Sequence, residues 1–182
     1  MAQEDRLLKR EDCVLVVIDA QQKLLPVIWE NQRVVDNTAR LVKFAAIIGL
    51  PVVVTEQEKL GPTVAEVAEG VEGLRAISKI TFDCFGCPPF VQRLAELGRR
   101  TLLLCGVEAH ICVAQSALSA LAQYRVHAVS DAMSSRTEHN WRTALARLQQ
   151  AGVIITSTEM LIYELLGRAG TDEFRATLPL VK

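Results

Sequence analysis

The sequence predicts one α/β domain over residues 1–182, with three α/β/α layers and a six-stranded, mostly parallel sheet. Two observations support this prediction. Six short runs rich in Val, Ile and Leu alternate with longer segments of helical periodicity. The apolar runs also lack polar alternation, which is typical of strands buried on both faces of a parallel sheet. Half of the 182 residues are hydrophobic, which is sufficient to build the core of one such domain.

The predicted strands are the six apolar runs, at residues 13–18, 52–55, 76–79, 101–105, 125–129 and 153–156. The predicted helices carry apolar residues on one helical face, and they cover residues 34–48, 89–97, 111–123, 137–150 and 159–168. Residues 56–75 fit neither pattern well, and we interpret them as a loop with a short helix. Regular alternation of strand and helix implies right-handed crossovers, which place helices on both faces of the sheet.

Local signals mark the ends of the predicted helices. Gly49, Gly98 and Gly152 each precede a predicted strand, in the position of the glycine that commonly ends a helix. Ser135 and Thr156 are each followed three residues later by glutamate, which is the spacing of a capping box. We therefore expect helices to begin at these two residues.

Charge and composition argue against several classes of partner. The formal net charge of −1 provides no basic surface for nucleic acid or for an anionic membrane. The longest apolar runs are far shorter than the roughly 20 residues that span a bilayer. The first twelve residues are polar and mixed in charge, unlike a signal peptide. We expect a soluble, cytoplasmic protein that acts on a small molecule and binds neither nucleic acid nor membrane.

Three polar residues follow predicted strands at the sheet edge where open parallel sheets bind their ligands. Asp19 follows the first strand, Lys79 ends the third, and Cys112 follows the fourth at the predicted start of a helix, where a thiolate is favoured. Together they predict a nucleophilic site. Asp19 takes the thiol proton, Lys79 holds the anionic partners, and Cys112 attacks a carbonyl carbon. Backbone N–H groups of residues 108–112 are placed to receive the oxyanion.

Each of these residues also has a purely structural interpretation. Free cysteine is mostly a core residue, so Cys112 is alternatively a buried structural thiol. Asp19 is alternatively a cap of the turn after its strand, and Lys79 a solvated lysine. Cys13 and Cys105 lie inside apolar runs and are expected to be ordinary core residues. The odd total of five cysteines favours reduced thiols in a cytosolic chain.

Four segments of the sequence occur together in one known family. VLVVIDAQ at 14–21 is similar to that family's first strand, with its aspartate and following glutamine. SKITFD at 78–83 is similar to its Lys-x-x-Phe segment, and CGVEAHICV at 105–113 to its nucleophile segment. AVSDAMSSR at 128–136 matches a recurrent stretch after the fifth strand. Over nearly its whole length, the chain resembles the isochorismatase-like cysteine hydrolases.

The resemblance implies a catalytic triad of Asp19, Lys79 and Cys112 in a six-stranded parallel sheet of Rossmann-like topology. It also implies a cis peptide bond at residues 107–108, which turns backbone N–H groups toward the oxyanion, and it implies a homo-oligomer. The segment around the oxyanion that the resemblance implies consists of Val107, Glu108, Ala109 and Cys112.

Two departures from other branches of the family narrow the substrate. The branch that hydrolyses nicotinamide carries metal-binding histidines after the second strand, whereas residues 55–63 contain none. The histidines of this chain are His110, His127 and His139, so we predict no metal and no cofactor. True isochorismatases cleave a vinyl ether and can lack the cysteine. The presence of Cys112 therefore favours an amide- or ester-like substrate and an acyl-enzyme.

Several side chains near the predicted strand ends are candidates for contact with the substrate, and each is equally consistent with ordinary packing. His110 is alternatively a local hydrogen-bonding group at the helix start. The candidates are Gln21, Leu25, Trp29, Gln57, Phe82 and His110.

The segment CFGC at 84–87 suggests other functions. A C-x-x-C pair indicates a redox dithiol or half of a zinc site, but a zinc site needs a second pair, which the sequence lacks. Pro88 and Pro89 follow, so the helix is expected to start after Cys87, unlike a thioredoxin site. A thiol oxidoreductase acting through Cys84 and Cys87 and a non-catalytic scaffold or binding protein of the same fold are the alternative functions. A reversible disulfide that gates the loop carrying Lys79 is a further hypothesis.

Overall fold

Six parallel strands form one sheet in the computed structural model, which describes residues 7–182. Residues 1–6, which belong to the predicted domain and to the stretch compared with a signal peptide, lie outside the described residues. The strands are β1 (Cys13–Ile18), β2 (Val52–Gln57), β3 (Ile77–Lys79), β4 (Thr101–Val107), β5 (Arg125–Ser134) and β6 (Ile154–Thr156). Their order across the sheet is β3-β2-β1-β4-β5-β6, and all neighbours pair in parallel.

Helices cover both faces of this sheet, which confirms the predicted three-layer α/β/α fold. Within residues 7–182 they are α1 (Asn31–Ile48), α2 (Ala65–Ala68), α3 (Pro88–Leu97), α4 (Ala114–Ala120), α5 (Glu138–Gln150), α6 (Thr158–Leu166) and α7 (Asp172–Val181). None of these helices has both the length and the apolar composition needed to cross a bilayer.

The side chains of β1 separate two buried apolar clusters. Even-numbered residues from Val14 to Ile18 pack with residues of α3, α4 and α5 on one face. Odd-numbered residues from Cys13 to Val17 pack with residues of α1 and α6 on the other. The absence of polar alternation in β1 thus reflects burial on both faces, as expected for the central strand of a parallel sheet.

The sheet changes direction of growth at β1. The chain adds β2 and β3 on one side of β1 and then returns to add β4, β5 and β6 on the other. Ligands bind beyond the carboxyl ends of the strands at such a switch point. Ile18 pairs with Thr55 of β2 and with Gly106 of β4, and Gln57 of β2 pairs with Lys79 of β3. The register therefore brings the carboxyl ends of these four strands to one crevice.

Two of the differences from the sequence prediction concern α7 and β5. The sequence pattern does not predict α7, which contains Pro179 and contributes Leu180 and Val181 to the cluster around α1. Strand β5 extends to Ser134 instead of ending at residue 129, after an irregularity in its pairing with β4. Both differences arise from contacts between distant parts of the chain, which local patterning does not encode.

The prediction that helices begin at Ser135 and Thr156 is wrong, although a helix begins close to each of these residues. Thr137 caps α5 and Ser157 caps α6, each accepting a hydrogen bond from the backbone N–H three residues later. Ser135 is instead buried, with its hydroxyl oxygen 2.9 Å from His110 Nδ1. Thr156 is the last residue of β6. A tertiary contact therefore holds Ser135, and strand pairing holds Thr156, so neither residue caps a helix.

A buried histidine on β5 has no polar partner for its ring. His127 is 2% exposed, and neither ring nitrogen has a hydrogen-bond partner among the described residues. Burial, and to a smaller extent the charge of Arg125, lowers the pKa of His127 to about 4. The imidazole is therefore neutral in the folded protein at neutral pH.

We predict that this histidine makes the protein less stable as the pH falls from about 6.5 to about 4. In this interval the unfolded chain binds a proton at His127 that the folded chain does not bind. The free energy of unfolding therefore decreases by up to about 3 kcal/mol through this group. Urea unfolding of the wild type and of His127→Gln across this interval measures the effect. The wild type should lose more stability than the variant; equal losses would contradict the prediction.

Candidate active site

A buried ion pair joins the chain after β1 to the end of β3. Lys79 Nζ donates to Asp19 Oδ2 at 2.7 Å, and both side chains are fully buried. Asp19 Oδ1 accepts a hydrogen bond from the Thr55 hydroxyl at 2.8 Å, so both carboxylate oxygens have partners. Burial lowers the pKa of Lys79, but the Asp19 carboxylate outweighs it, and the pKa lies above its usual value. Lys79 is therefore a charged, buried lysine, and its interpretation as a solvated lysine is wrong.

One glutamine binds the ammonium group of Lys79, and a second glutamine holds the first in place. Lys79 Nζ also donates to Gln57 Oε1 at 2.9 Å and to the Thr81 carbonyl at 3.2 Å. Gln57 Nε2 donates to the Ile80 carbonyl at 2.8 Å. Gln21 is 1% exposed, and its amide binds the backbone N–H and carbonyl of Gln57 at 2.8 and 3.0 Å. The amides of both predicted substrate-contact glutamines are thus engaged within the protein, where they position Lys79.

The chain between β4 and α4 carries Cys112. The peptide bond between Val107 and Glu108 is cis, as the resemblance implies. Residues Ala109–Val113 then form one π-helical turn that leads directly into α4. Such turns are rare and frequently occur at functional sites. Cys112 therefore lies in the first turns of a helix, as the sequence predicts, although that turn is not α-helical.

Gly106 allows β4 to approach β1 closely just before this turn. Its φ is 110°, a conformation that other residues rarely adopt. A Cβ atom at this position would clash with the carbonyl oxygen of Ile18 and would lie 2.7 Å from the Ile18 nitrogen. Only glycine fits here without displacing the end of β1, and Asp19 is the next residue after Ile18.

The Cys112 thiol lies beside the ion pair. The residue is 5% exposed, and the charges of both Asp19 and Lys79 shift the pKa of its thiol. Burial, followed by the charge of Asp19, raises the pKa of Cys112 to about 12, and Lys79 acts in the opposite direction. A hydrogen bond with Asp19 also favours the protonated sulfur. The resting group is therefore a thiol next to a carboxylate that can accept its proton, and the structure brings the three predicted residues together.

The segment predicted to receive an oxyanion is buried and tightly held. Glu108 Oε1 accepts a hydrogen bond from Arg136 Nε at 2.8 Å. The Glu108 carbonyl accepts the N–H groups of Ile111 and Val113 at 3.0 and 3.2 Å. These two donors therefore serve the turn itself. A role for the N–H groups of Ala109 and Cys112 stays a prediction.

The other predicted contact residues lie in different surroundings. Leu25 is 4% exposed and packs in a cluster that includes Val107. Trp29 lies against a second tryptophan ring, with centroids 5.4 Å apart. Phe82 is 54% exposed, three residues after Lys79. His110 is partly exposed, and its Nδ1 contacts the Ser135 hydroxyl. Phe82 is therefore the most accessible of these four side chains.

Two groups at the site do not follow from the sequence analysis. Thr55 binds Asp19, and only its pairing with the last residue of β1 could have signalled this contact. Cys84 is completely buried, and its backbone N–H donates to the Ser116 hydroxyl at 2.9 Å. The charge of Lys79 acts on the Cys84 thiol, so a second sulfur lies at the same site.

Two further features of residues 7–182 bear on where a ligand could bind. No three His, Cys, Asp or Glu side chains in this part of the chain are grouped so as to hold a metal ion. A groove of about 480 Å³ between α3 and the strands β2 and β3 contains none of the predicted site residues.

Sequence comparison identifies related proteins. Residues 13–160 match a model of the isochorismatase domain family. The isochorismatase domain-containing protein 2B of Mus musculus is 38% identical over 176 residues, covering 94% of this chain and 82% of the mouse protein. The secreted isochorismatase effector Isc1 of Phytophthora sojae is 37% identical over 178 residues, covering 93% of this chain and 84% of that protein.

Solved structures give the same relationship. The MAR1 ribonuclease from Caenorhabditis elegans superposes with a TM-score of 0.90 at 31% identity, covering 96% of this chain and 92% of that one. The YcaC protein from Escherichia coli, described as an octameric hydrolase of unknown specificity, superposes with a TM-score of 0.89 at 24% identity. That match covers 98% of this chain and 94% of the YcaC chain and is evidence of a shared fold.

We predict that the two buried charges depend strongly on each other. Lys79→Met leaves the Asp19 carboxylate buried without a counter-charge, which should lower the free energy of unfolding by about 3–5 kcal/mol. The double variant Asp19→Asn/Lys79→Met removes both charges, so its loss should be smaller than the sum of the two single losses. Urea unfolding of the wild type, both single variants and the double variant measures this coupling; additive losses would contradict it.

Proposed function

The chain belongs to the isochorismatase family, and on this premise we propose that it is a cysteine hydrolase. Its substrate is a small molecule with an amide- or ester-like carbonyl, and Cys112 is the nucleophile. The observation that supports this most directly is the position of the Cys112 thiol beside a buried Asp19–Lys79 ion pair. A carboxylate that serves only to cap a turn would not need a buried counter-charge next to a thiol.

In the proposed reaction Asp19 accepts the Cys112 proton as the thiolate attacks the carbonyl carbon. The carbonyl π electrons move to the oxygen, and backbone N–H groups of the 108–112 segment stabilise the oxyanion. Collapse of this intermediate expels the amine or alcohol, which takes the proton from Asp19 and leaves a thioester on Cys112.

Hydrolysis of the thioester returns the enzyme to its starting state. Water attacks the acyl carbon while Asp19 accepts a water proton. The second tetrahedral intermediate releases the carboxylic acid, and the Cys112 sulfur regains the proton that Asp19 holds. Lys79 remains protonated throughout, since its ammonium group neutralises the anionic partners and holds Asp19 in orientation. No metal or cofactor enters these steps.

The burial of the triad supports a small substrate. Asp19, Lys79 and Cys112 are 0%, 2% and 5% exposed. The loop directly after Lys79 carries the apolar side chains of Ile80 and Phe82, which are 73% and 54% exposed. Access to the sulfur is therefore narrow, and an apolar rim lies next to it. This arrangement favours a compact acyl group over a polymer chain.

Assembly and location belong to the proposal as well. The E. coli neighbour is described as octameric, and we propose that this chain also forms a homo-oligomer. The Phytophthora sojae relative is named as secreted, so relatives do not share one compartment. The cytoplasmic location proposed here rests on the five free cysteines, which a reducing compartment keeps as thiols.

RNA is a second candidate substrate because the C. elegans protein, 31% identical, is described as a ribonuclease. A ribonuclease binds a phosphate backbone, which requires a basic surface. The net charge of −1 argues against such a surface here. We therefore propose carbonyl hydrolysis and include an RNA oligonucleotide in the test.

The decisive experiment is a substrate panel of small amides, esters and vinyl ethers together with the RNA oligonucleotide. We expect turnover of at least one amide or ester, which Cys112→Ala reduces by at least about a thousandfold and Asp19→Asn by about 10²–10⁴-fold. Cys87→Ser is the matched control, since it alters a neighbouring buried thiol that lies outside the triad. Turnover that survives Cys112→Ala, or cleavage of RNA alone, would contradict the proposal.

Alkylation with iodoacetamide tests the nucleophile independently of the substrate. The hydrolase proposal predicts that Cys112 is labelled before the other four cysteines, because Asp19 accepts its proton and Lys79 stabilises the thiolate. Lys79→Ala should slow labelling of Cys112. Peptide mass spectrometry at successive times measures both effects. Faster labelling of Cys84 or Cys87 would favour the oxidoreductase, and no fast site would favour a scaffold.

A further inference from the structure

The loop between β3 and α3 carries a second thiol toward the nucleophile. Cys84 is completely buried in a 3₁₀ turn, and its backbone N–H donates to the Ser116 hydroxyl at 2.9 Å. Ser116 lies four residues after Cys112 on the same helical stretch, so the two residues share one helix face. The loop is also held by Asp83, whose Oδ2 accepts a hydrogen bond from the Ser119 hydroxyl at 2.6 Å.

The charges of the same two residues shift the pKa of both thiols. The charges of Lys79 and Asp19 shift the pKa of both thiols, and Cys84 also raises the pKa of Cys112. Both side chains belong to one buried cluster. Burial raises the pKa of Cys84 to about 11, while hydrogen bonds with Ser116 and Thr55 act in the opposite direction. Two thiols therefore border one ion pair.

Cys87, the other member of the C-x-x-C pair, points elsewhere. Its Sγ lies 3.7 Å from the carbonyl oxygen of Ser78 in β3, and the residue immediately precedes α3. Cys84 is among the groups that shift the pKa of the Cys112 thiol. The Ser116 contact and the influence of Lys79 and Asp19 therefore place Cys84 near the triad, although the sequence pairs it with Cys87.

We propose that Cys112 is a site of oxidation by hydrogen peroxide and that Cys84 resolves the oxidised sulfur as a reversible Cys84–Cys112 disulfide. This inference rests on the proposed function only for the reactivity of Cys112. It adds a modification that switches the hydrolase off and protects its nucleophile. Neither cysteine is joined in a disulfide in the described structure, so this is the reduced form.

The chemistry requires two steps and one oxidant. Asp19 accepts the Cys112 proton, and the thiolate attacks one oxygen of hydrogen peroxide, breaking the O–O bond to give a sulfenic acid and a hydroxide that becomes water. The Cys84 sulfur then attacks the sulfenic sulfur, and the hydroxyl group leaves as water with the Cys84 proton. Two thiols lose two electrons, hydrogen peroxide gains them, and two water molecules form.

The burial of both sulfurs determines which small molecules can react. Hydrogen peroxide is small enough to reach a cysteine that is 5% exposed, whereas a protein disulfide is not. Both thiols are protonated at neutral pH, so oxidation depends on Asp19 in the same way as hydrolysis does. The disulfide removes the nucleophile from the hydrolytic cycle until a thiol reductant restores it.

The test uses the full chain treated with hydrogen peroxide, blocked with iodoacetamide and mapped by mass spectrometry without reduction. We expect one cross-linked pair of peptides containing Cys84 and Cys112, which dithiothreitol separates. In Cys84→Ala, Cys112 should instead advance to sulfinic acid, which dithiothreitol does not reverse. Cys87→Ser is the matched control and should still form the cross-link. Asp19→Asn should slow its formation at least about tenfold.

The outcomes distinguish this inference from the proposed function. A Cys84–Cys87 cross-link, or sulfinic acid at Cys112 in the wild type with Cys84 free, would overturn the inference even if hydrolysis depends on Cys112. Hydrolysis that survives Cys112→Ala would overturn the proposed function, yet the cross-link would still be read directly from the peptides. A cross-link that forms equally fast in Asp19→Asn would overturn the role given to Asp19 in the oxidation.

Discussion

The buried contact between Asp19 and Lys79 is the interaction on which the rest of the site depends. Removing two charges from water costs several kcal/mol per ion, and their attraction offsets this only when further hydrogen bonds satisfy both groups. Here Thr55 serves the carboxylate, while Gln57 and the Thr81 carbonyl serve the ammonium group. The sheet edge is therefore organised around keeping both charges satisfied.

This requirement links segments that are far apart in sequence. Asp19 follows β1, Thr55 and Gln57 belong to β2, and Lys79 ends β3. Gln21 extends the network, because its side-chain amide binds both the backbone N–H and the backbone carbonyl of Gln57. A shift of any one strand would leave a charge or an amide without its partner, at a cost comparable to a large fraction of total stability. A rigid carboxylate beside a thiol is the consequence, and this rigidity is what proton transfer in a fixed geometry requires.

The loop between β3 and α3 has two roles, because it directly follows Lys79 and also carries Cys84. Lys79, which binds Asp19, is the last residue of β3, and the segment after it reaches α4 through the contacts of Asp83 and Cys84 with two serines. Any movement of this segment therefore affects the ion pair and the distance between the two thiols together. The proposed hydrolysis and the proposed oxidation both need the Cys112 proton to reach Asp19, so on these proposals the two reactions compete for one thiolate.

The sequence by itself determined the layers of this fold and predicted which three residues meet at one sheet edge. Aliphatic runs without polar alternation locate strands buried on both faces, as in β1, and parallel strands bring their carboxyl ends to one edge, so Asp19, Lys79 and Cys112 could be assigned to that edge. Local patterns were less reliable where a tertiary contact competes, as at Ser135, whose hydroxyl contacts His110 and does not cap a helix. Similarly, the apolar end of α7 has a partner only in the folded chain.

Only the tertiary structure decided how these three residues are held and which segment Cys84 packs against. The strand order places β1 between β2 and β4, so that Thr55 reaches Asp19 and Gly106 passes the backbone of Ile18. Spacing along the chain pairs Cys84 with Cys87, but the 3₁₀ turn and Ser116 hold Cys84 against the helical stretch that carries Cys112. The physical reason is that hydrophobic periodicity reports which face of an element is buried. It does not report which polar group from a distant segment lies against that face.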